Sequence, residues 1–390
     1  MTSAPASRPL WIGTFPADPQ APGQGEGVWR VDVGADGRFG EPRLVVELEA
    51  PTFLALHPSG RALYAVTEAD PGSVTALEVE GAEGTTGLRR VRTVPSGGSS
   101  PCHVAVADDV LWLANYGDGN VTWLALDAET GGFGQASGTF RAEGSGPDPE
   151  RQDGPHAHFA AFVPPSGRTG AGADVLVCDL GLDVVRRYPA RPWPDGAGAT
   201  PAEAAAQLPP GSGPRHLAVL PGGALVVAGE LDGRLHVLAP EGTGDAGAGA
   251  DAAAGWAVTA SVPVCVTEPA EGSPVQPSHV QLTRHPAGDL VTVGVRGSDV
   301  LAVHRVHGGD GPAPTLEHLA DVPLGQGAFP RHHAVLGPAS PDQEEGPLLA
   351  VVARQGTGDL ASVLLDPATG RGDVVAGLAL ATPPACVLEA

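Results

Sequence analysis

The chain has 390 residues, of which 42% are hydrophobic, and its 45 acidic and 22 basic residues leave a formal net charge of −23. A surface this acidic repels nucleic acids and anionic membranes, so we expect neither as a partner. All of the basic residues are arginine, which excludes a lysine Schiff base and a phosphate-binding loop built on lysine. Glycine (56) and proline (40) are abundant, which favours many short strands joined by tight turns.

The sequence also carries indications of where the protein resides. Its first residues, MTSAPASRPL, lack the basic segment and apolar run of a signal peptide, and no apolar stretch reaches the roughly 20 residues of a membrane helix. The four cysteines are widely spaced and form no Cys-x-x-Cys pair, which argues against a zinc site and favours buried thiols in a reducing compartment. We therefore expect a soluble, cytoplasmic protein without a metal or other cofactor. The cysteines are Cys102, Cys178, Cys265 and Cys386.

Pairs of apolar segments recur along the chain, each pair enclosing a turn. The first pair, LWIGTF and GVWRVDV, is separated by a Gly/Pro-rich insertion, and the later pairs turn on Gly or Asp. Alternating β-branched residues without a helical period predict β-hairpins and argue against an α/β fold. The pairs begin near Trp11 and at Tyr64, Leu111, Val175, Leu225, Leu290 and Leu348.

A second repeat precedes most of these pairs. A turn-like segment, usually containing proline, leads into a short apolar strand, and its copies are 50 to 63 residues apart. That period is typical of propeller blades. Together the repeats predict a seven-bladed β-propeller with four-stranded antiparallel blades. The repeated position is occupied by Phe53, His103, His158, His216, His279 and His332, and we expect His103, His216, His279 and His332 to be structural.

The ring is expected to close with a strand from each end of the chain. The C-terminal segment PACVL has no hairpin after it, so it is predicted to add the missing strand to the blade that begins at Trp11, which would hide two sheet edges. We predict a single propeller domain over residues 9–390 and a short flexible N-terminus over residues 1–8. Residues 141–154, 192–210 and 241–255 interrupt the repeat with Ala, Gly and Pro and are predicted to be surface loops.

Blade geometry predicts which polar residues meet. The segment before the first strand of a blade and the turn after the second strand lie on the same face, so residues there should surround one mouth of the central channel. Arginines, a histidine and carboxylates in a concave mouth indicate a site for a small anionic ligand, where nearby guanidinium groups would keep a carboxylate ionised. The residues are His156, Arg215, Arg331, Glu68, Asn115, Asp179, Glu230, Arg296 and Arg354.

Several motifs in order resemble the lactonase family of seven-bladed propellers. They are PTFLALHPSGRALYAV, SPCHVAVA with LWLANYGDGNV, GPHAH, GPRHLAVL and FPRHHAV, and the resemblance extends from Trp11 to Cys386. It implies lactone hydrolysis, for which the family's best-known activity is that of 6-phosphogluconolactonase in the pentose phosphate pathway of carbohydrate metabolism. A fungal branch catalyses a cycloisomerisation that forms a carboxymuconate lactone. The site proposed for that branch corresponds here to His156 (or His158), Arg215, Glu230 and Arg296.

Three functions stay open at this point: a metal-independent lactonase, a cycloisomerase acting on a muconate, and a propeller that binds a ligand or partner without catalysis. For the lactonase we expect Glu230 or His156 to activate water while arginines stabilise the oxyanion. The expected partner is a small anionic lactone, and the protein is expected to be a monomer or a weak homo-oligomer. The catalytic candidates are Glu230, His156, Arg215 and Arg296, and the substrate-binding candidates are Arg331, Arg354, Asn115, Asp179, His158 and Glu68.

Overall fold

The computed structural model describes most of the chain. The described residues are 7–16, 18, 26–81, 87–163, 174–191, 203–241, 255–311, 313–338 and 345–390. Most of the predicted N-terminal segment, and residues 192–202 and 242–254 of two predicted loops, lie outside these ranges. Across the described residues all regular structure is strand, and no helix that could cross a membrane is found there.

Twenty-eight strands in the described ranges form seven antiparallel sheets of four, which confirms the predicted propeller. The first blade contains β1 (Arg8–Thr14), β2 (Gly27–Val33), β3 (Arg43–Glu47) and β28 (Pro384–Glu389). The second contains β4 (Leu54–Leu56), β5 (Ala62–Thr67), β6 (Ser73–Glu80) and β7 (Gly87–Pro95). The third contains β8 (Pro101–Ala107), β9 (Val110–Asn115), β10 (Val121–Leu126) and β11 (Phe133–Phe140). The fourth contains β12 (Ala157–Val163), β13 (Asp174–Asp179), β14 (Val184–Pro189) and β15 (Glu203–Gln207).

The remaining three blades repeat the same antiparallel order. The fifth contains β16 (Pro214–Val219), β17 (Leu225–Gly229), β18 (Arg234–Pro240) and β19 (Trp256–Pro263). The sixth contains β20 (Gln276–Thr283), β21 (Leu290–Arg296), β22 (Val300–His307) and β23 (Thr315–Pro323). The seventh contains β24 (Pro330–Pro338), β25 (Leu348–Arg354), β26 (Asp359–Leu365) and β27 (Gly372–Ala379).

The two ends of the chain close the ring as predicted. β28 pairs with β1, with Ile12 opposite Val387, and Arg8 forms an ion pair with Glu389 at 2.6 Å. β28 also contacts the inner strands of both neighbouring blades, β4 and β24. β28 therefore packs between the inner strands of the second and seventh blades and closes the ring.

Apolar side chains fill the spaces between neighbouring blades. Trp112 of the third blade, for example, is fully buried against Phe140 and against Tyr188 of the fourth, and its indole nitrogen donates to Ala190 O at 3.0 Å. Fully burying one large apolar side chain contributes about 1.5–3 kcal/mol. These interfaces hold the blades at fixed positions around the channel.

One predicted loop contains a strand. β15 lies inside residues 192–210 and pairs with β14, where Val185 is opposite Ala206. Ala205 and Ala206 are buried, so an alanine-rich segment with weak strand propensity is held by tertiary packing.

The aromatic position repeated in the sequence lies along the channel axis, but the prediction of His158 for the fourth blade is wrong. Phe53, His103 and His332 are in ring contact there, with Phe53 4.3 Å from His103 and 5.3 Å from His332. In the fourth blade Phe159, not His158, takes this position, because Phe159 pairs with the second strand as His103 does in the third blade. Ala157 stands where three other blades have proline before a β-bulge, so His158 corresponds to the bulged residue and not to the aromatic position.

Candidate functional site

A cavity of about 320 Å³ opens at the end of the channel where the inner strands begin. We call it the arginine cavity, because four of its lining side chains are guanidinium groups. The second to seventh blades and the segment between β11 and β12 all contribute to it. The lining residues are Glu68, Cys102, Tyr116, Arg151, His158, Arg215, Glu230, Gln276, Arg296, Phe329 and Arg331.

β-Bulges direct four of these side chains into the arginine cavity. In four inner strands the register with the second strand shifts near the start, and the residue that is skipped lines the cavity. A bulge leaves one residue out of the ladder and changes the direction of its side chain. The skipped residues are Cys102, His158, Arg215 and Arg331.

Glu230 lies at the centre of the arginine cavity and is 1% exposed. Its Oε1 accepts a hydrogen bond from Arg151 at 2.7 Å. Its Oε2 is shared by Arg215 and by Arg296, whose Nη2 lies at 2.9 Å. One carboxylate thus fixes three guanidinium groups from three separate parts of the chain.

The geometry of one hairpin brings Arg215 and Glu230 together. Arg215 is the bulged residue of β16, and Glu230 follows the last residue of β17. The backbone nitrogen of Glu230 donates to Gly213 O at 2.9 Å, which closes the hairpin just before Arg215. Arg296 is the last residue of β21. Its Nη2 donates to Pro277 O at 3.2 Å, and its guanidinium carbon lies 5.3 Å from the centre of the Phe329 ring.

Burial and charge set the ionisation of the central groups. Burial would raise the pKa of Glu230, but Arg296 and Arg215 outweigh it and hold this pKa well below its usual range. Burial lowers the pKa of His158 well below its usual value, and Arg215 lowers it further. At neutral pH the arginine cavity therefore contains an ionised Glu230 and a neutral His158.

The inner end of the arginine cavity has unsatisfied polar atoms. Among the described residues, Nε of Arg215 and Nδ1 of His158 are buried and have no hydrogen-bond partner. Both residues also line a small hollow of about 10 Å³ further down the channel, next to Arg331. Such a hollow accommodates about one water molecule. Arg331 stacks on the ring of Phe15 at 4.9 Å, and its nearest acid, Glu68, is 3.7 Å away.

The outer rim is formed by the segment between β11 and β12. Arg151 lies on this segment with its side chain 33% exposed, against 4% for Arg215 and 6% for Arg296. Besides Glu230, its Nη2 contacts the hydroxyl of Tyr116 at 3.3 Å. The rim is therefore the accessible end of the cavity.

The lining is unsuited to a cysteine nucleophile. Burial raises the pKa of the Cys102 thiol, and Glu68 raises it further, so the reactive thiolate is disfavoured. Within the described ranges, no group of three or more His, Cys, Asp and Glu side chains is arranged to hold a metal ion. With four arginines and two glutamates, the lining carries an excess of two positive charges, although the whole chain has a net charge of −23. Such a local reversal of charge favours an anionic ligand.

A family model for "Lactonase, 7-bladed beta-propeller" matches residues 9–388 of the chain. The chain belongs to this lactonase family. This lactonase is 28% identical over 382 residues to the 6-phosphogluconolactonase of Bacillus subtilis, covering 97% of both chains. It is also 26% identical to the 6-phosphogluconolactonase of Formosa agariphila over 53% of this chain and 57% of that one.

Solved structures agree with the fold of this lactonase. The periplasmic gluconolactonase of Pseudomonas aeruginosa superimposes with a TM-score of 0.76 over 99% of both chains, at 22% sequence identity. A protein from Lactobacillus plantarum superimposes with a TM-score of 0.74 over 98% of this chain and 100% of that one, at 23% identity. At these identities the likeness establishes the seven-bladed architecture alone.

Six residues predicted for the site of this lactonase meet in the arginine cavity. They are Glu68, His158, Arg215, Glu230, Arg296 and Arg331.

Asn115, Asp179 and Arg354 do not line the arginine cavity, because each is engaged locally. Asn115 donates to Ser96 O and Asn120 O, and Asp179 pairs with Arg186 at 2.9 Å. Arg354 pairs with Asp359 and donates to Leu324 O at 2.7 Å.

His156 supports a lining residue instead of lining the arginine cavity itself. Its Nδ1 donates to Tyr116 O at 2.7 Å, its Nε2 lies 3.2 Å from Asp153, and its ring stacks on Tyr116 with centroids 4.6 Å apart. Of the two histidines carried over from the family resemblance, the structure thus places His158 in the cavity that the arginines and Glu230 line.

Five lining residues are not among those predicted for the site. Arg151 stands in the segment 141–154, where the strand repeat is interrupted, and Tyr116 comes one residue after the Asn115 position. The string PERQDGPHAH, which contains Arg151 and both histidines, is the signal that could have directed attention to this segment. The five are Cys102, Tyr116, Arg151, Gln276 and Phe329.

Proposed function

We propose that this protein hydrolyses the lactone ester of a phosphorylated sugar acid, and that 6-phosphogluconolactone is its substrate. The observation that carries the proposal is the excess of two positive charges in the arginine cavity, which suits a phosphate dianion. The names of the relatives from B. subtilis and F. agariphila point to the same substrate. The reaction would supply the sugar acid in the pentose phosphate pathway.

In the proposed mechanism His158 is the general base. Its buried, neutral imidazole has a free Nδ1 at the inner end of the cavity, where a water molecule fits. Glu230 is less available as a base, because both of its carboxylate oxygens are already engaged by guanidinium groups. His158 takes a proton from the water molecule while the water oxygen forms a bond to the lactone carbonyl carbon.

Arginines would stabilise the charge that develops in this step. Arg215 has an unpaired Nε at the inner end, and Arg331 lies beside it, so both are placed to donate to the carbonyl oxygen as it becomes negative. The bond from the carbonyl carbon to the ring oxygen then breaks, and the ring oxygen receives the proton from His158. Glu230 serves to hold Arg215 and Arg296 in place and to balance their charge.

A comparison of three substrates tests the proposed function. Purified protein would be mixed with fresh 6-phosphogluconolactone, with unphosphorylated gluconolactone and with a carboxymuconate, and the products followed by NMR. We expect opening of the phosphorylated lactone well above its spontaneous rate and a weaker effect on gluconolactone. Turnover of the muconate alone would identify a cycloisomerase, and no turnover of any of the three would contradict an enzymatic role for these residues.

We also propose that the protein acts in the cytoplasm as a monomer or weak homo-oligomer. All four cysteines are buried and free, as suits a reducing compartment. The arginine cavity is lined by residues of one chain, so activity should not depend on protein concentration. Light scattering and specific activity measured over a dilution series would test this.

A further inference from the structure

The arginine cavity has a buried end and an exposed end, which orients any substrate. Arg215 and Arg296 are almost fully buried around Glu230, whereas the side chain of Arg151 is one-third exposed at the rim. Under the proposed mechanism the reacting carbonyl lies at the buried end, near His158. The far end of the substrate therefore lies at the rim, next to Arg151.

Arg151 has hydrogen-bonding capacity to spare. Within the described residues, both of its side-chain hydrogen bonds use Nη2, one to Glu230 Oε1 and one to the Tyr116 hydroxyl. A guanidinium group has five donors in a planar fork that suits two oxygens of one phosphate. Its Nη1 and Nε are therefore available for a second anion while Glu230 and Tyr116 hold Nη2.

Side-chain hydrogen bonds of the neighbouring Gln152 fix the backbone at Arg151. The Gln152 side chain is buried and donates from Nε2 to Leu180 O and to Asp183 Oδ1, both at 2.8 Å. Asp183 Oδ1 also accepts a hydrogen bond from the backbone nitrogen of Gly213, two residues before Arg215. The segment with Arg151 is thus tied to the backbone that places Arg215, which gives the two guanidinium groups a defined separation.

Arg151 is not needed to hold the buried cluster together. It contacts Oε1 of Glu230, whereas Arg215 and Arg296 share Oε2. Removal of the Arg151 side chain leaves Glu230 with two guanidinium partners and leaves the inner end of the cavity unchanged. A role in recognition can therefore be separated from a role in catalysis.

We propose that Arg151, positioned by Tyr116 and Gln152, is the specificity-determining residue that binds the phosphate group at the outer end of the arginine cavity. This inference rests on the proposed function. It assigns to Arg151 the discrimination between phosphorylated and unphosphorylated lactones. The inner arginines then interact with the part of the substrate that both kinds of lactone share.

Steady-state kinetics of Arg151→Ala on both lactones tests the proposal. We expect KM for 6-phosphogluconolactone to rise about 10- to 100-fold, because a charge-assisted, two-point contact is lost. The kcat for this substrate and the kcat/KM for gluconolactone should stay within about threefold of wild type. Arg141→Ala is the matched control, because Arg141 is an exposed arginine on the same segment and should leave both substrates unaffected.

Two further variants test the geometry of the Arg151 side chain and its positioning by Tyr116. Arg151→Lys keeps the charge but not the fork, so its KM should fall between those of wild type and Arg151→Ala. Tyr116→Phe removes only the hydroxyl that holds Nη2 and should raise KM for the phosphorylated lactone by a smaller factor. Thermal melting of each variant checks that the protein is folded.

The failures of the two proposals look different. If wild type hydrolyses neither lactone, the proposed function fails, and the role of Arg151 fails with it. In the second case wild type is active while Arg151→Ala loses activity on both lactones to the same extent, or has a lower kcat with an unchanged KM. The proposed function then stands and Arg151 is not the phosphate-binding residue.

Discussion

Arg215 and Glu230 are fifteen residues apart in the sequence and form a buried ion pair across the open end of one β-hairpin. Arg215 is the bulged residue of β16, and Glu230 follows β17 directly. The same carboxylate oxygen also contacts Arg296 from the next blade. This arrangement puts a fixed negative charge among the buried cations of the arginine cavity.

Loss of Arg215 should impair catalysis. Arg215→Ala removes a donor from the position proposed for the oxyanion and is expected to lower kcat/KM for the preferred lactone by at least about 10²-fold. Glu230 keeps Arg151 and Arg296 in this variant, so the protein should stay folded. Initial rates beside Arg141→Ala would check this, and near-normal turnover would remove Arg215 from the mechanism.

The two histidines of the GPHAH motif should differ in their effect on kcat. His158→Gln removes the proposed base and is expected to lower kcat by about 10²-fold or more. His156→Gln disturbs the contacts to Tyr116 and Asp153 and should alter KM more than kcat. Parallel kinetics on both variants make the comparison, and a larger loss of kcat in His156→Gln would reverse the assignment.

Glu230 should matter for stability as well as for activity. Glu230→Gln leaves buried guanidinium groups without their counter-ion, which is expected to cost about 3–5 kcal/mol in the free energy of unfolding. The matched control is Glu78→Gln, which breaks an exposed pair with Arg89 and should cost no more than about 1 kcal/mol. Urea unfolding at neutral pH gives both values, and equal costs would show that the buried cluster is not held by Glu230.

Acid should destabilise the fold steeply. Burial lowers the pKa of seven histidines in the described part of the chain below the ordinary value of 6.5, so the folded protein binds fewer protons than the unfolded chain as pH falls. The contribution of these neutral, buried histidines to the free energy of unfolding is present above pH 6.5 and is lost as the pH falls below it. Below pH 6.5 each of these histidines should lower the free energy of unfolding by about 1.4 kcal/mol per pH unit.

Thermal melting between pH 7 and pH 5 measures this effect. His333→Gln should reduce the pH dependence by about one proton, because the pKa of His333 is lowered by burial to about 3. His307→Gln, at an exposed position, should leave it unchanged. A melting temperature that does not vary across this range would contradict the prediction.

The fold could be predicted from the sequence because it depends on repetition. Alternating apolar strands and a recurring proline segment identify seven similar units, and the unmatched C-terminal strand indicates how the ring closes. The strand at Glu203–Gln207 was missed, because its alanines show neither β-branching nor alternation and are held by packing against β14.

The site was predictable only where it follows from blade geometry. Arg215, Glu230 and Arg296 flank hairpins, so their convergence follows from the strand order. Which of His156 and His158 faces the cavity depends on a β-bulge, and strict alternation along a strand does not predict it. Arg151 lies on an irregular segment whose path is set by the buried Gln152, so nothing periodic in the sequence indicates that it reaches Glu230.

We propose that the residues of the arginine cavity catalyse the hydrolysis of an anionic lactone without a metal ion. The most direct test is the rate of hydrolysis of fresh 6-phosphogluconolactone by chelator-treated wild type, with Arg215→Ala at the same concentration. We predict full activity in the treated wild type and a loss of at least about 10²-fold in the variant. A rate that does not exceed spontaneous hydrolysis, or activity that returns only when a divalent metal is added, would contradict metal-independent hydrolysis in this cavity.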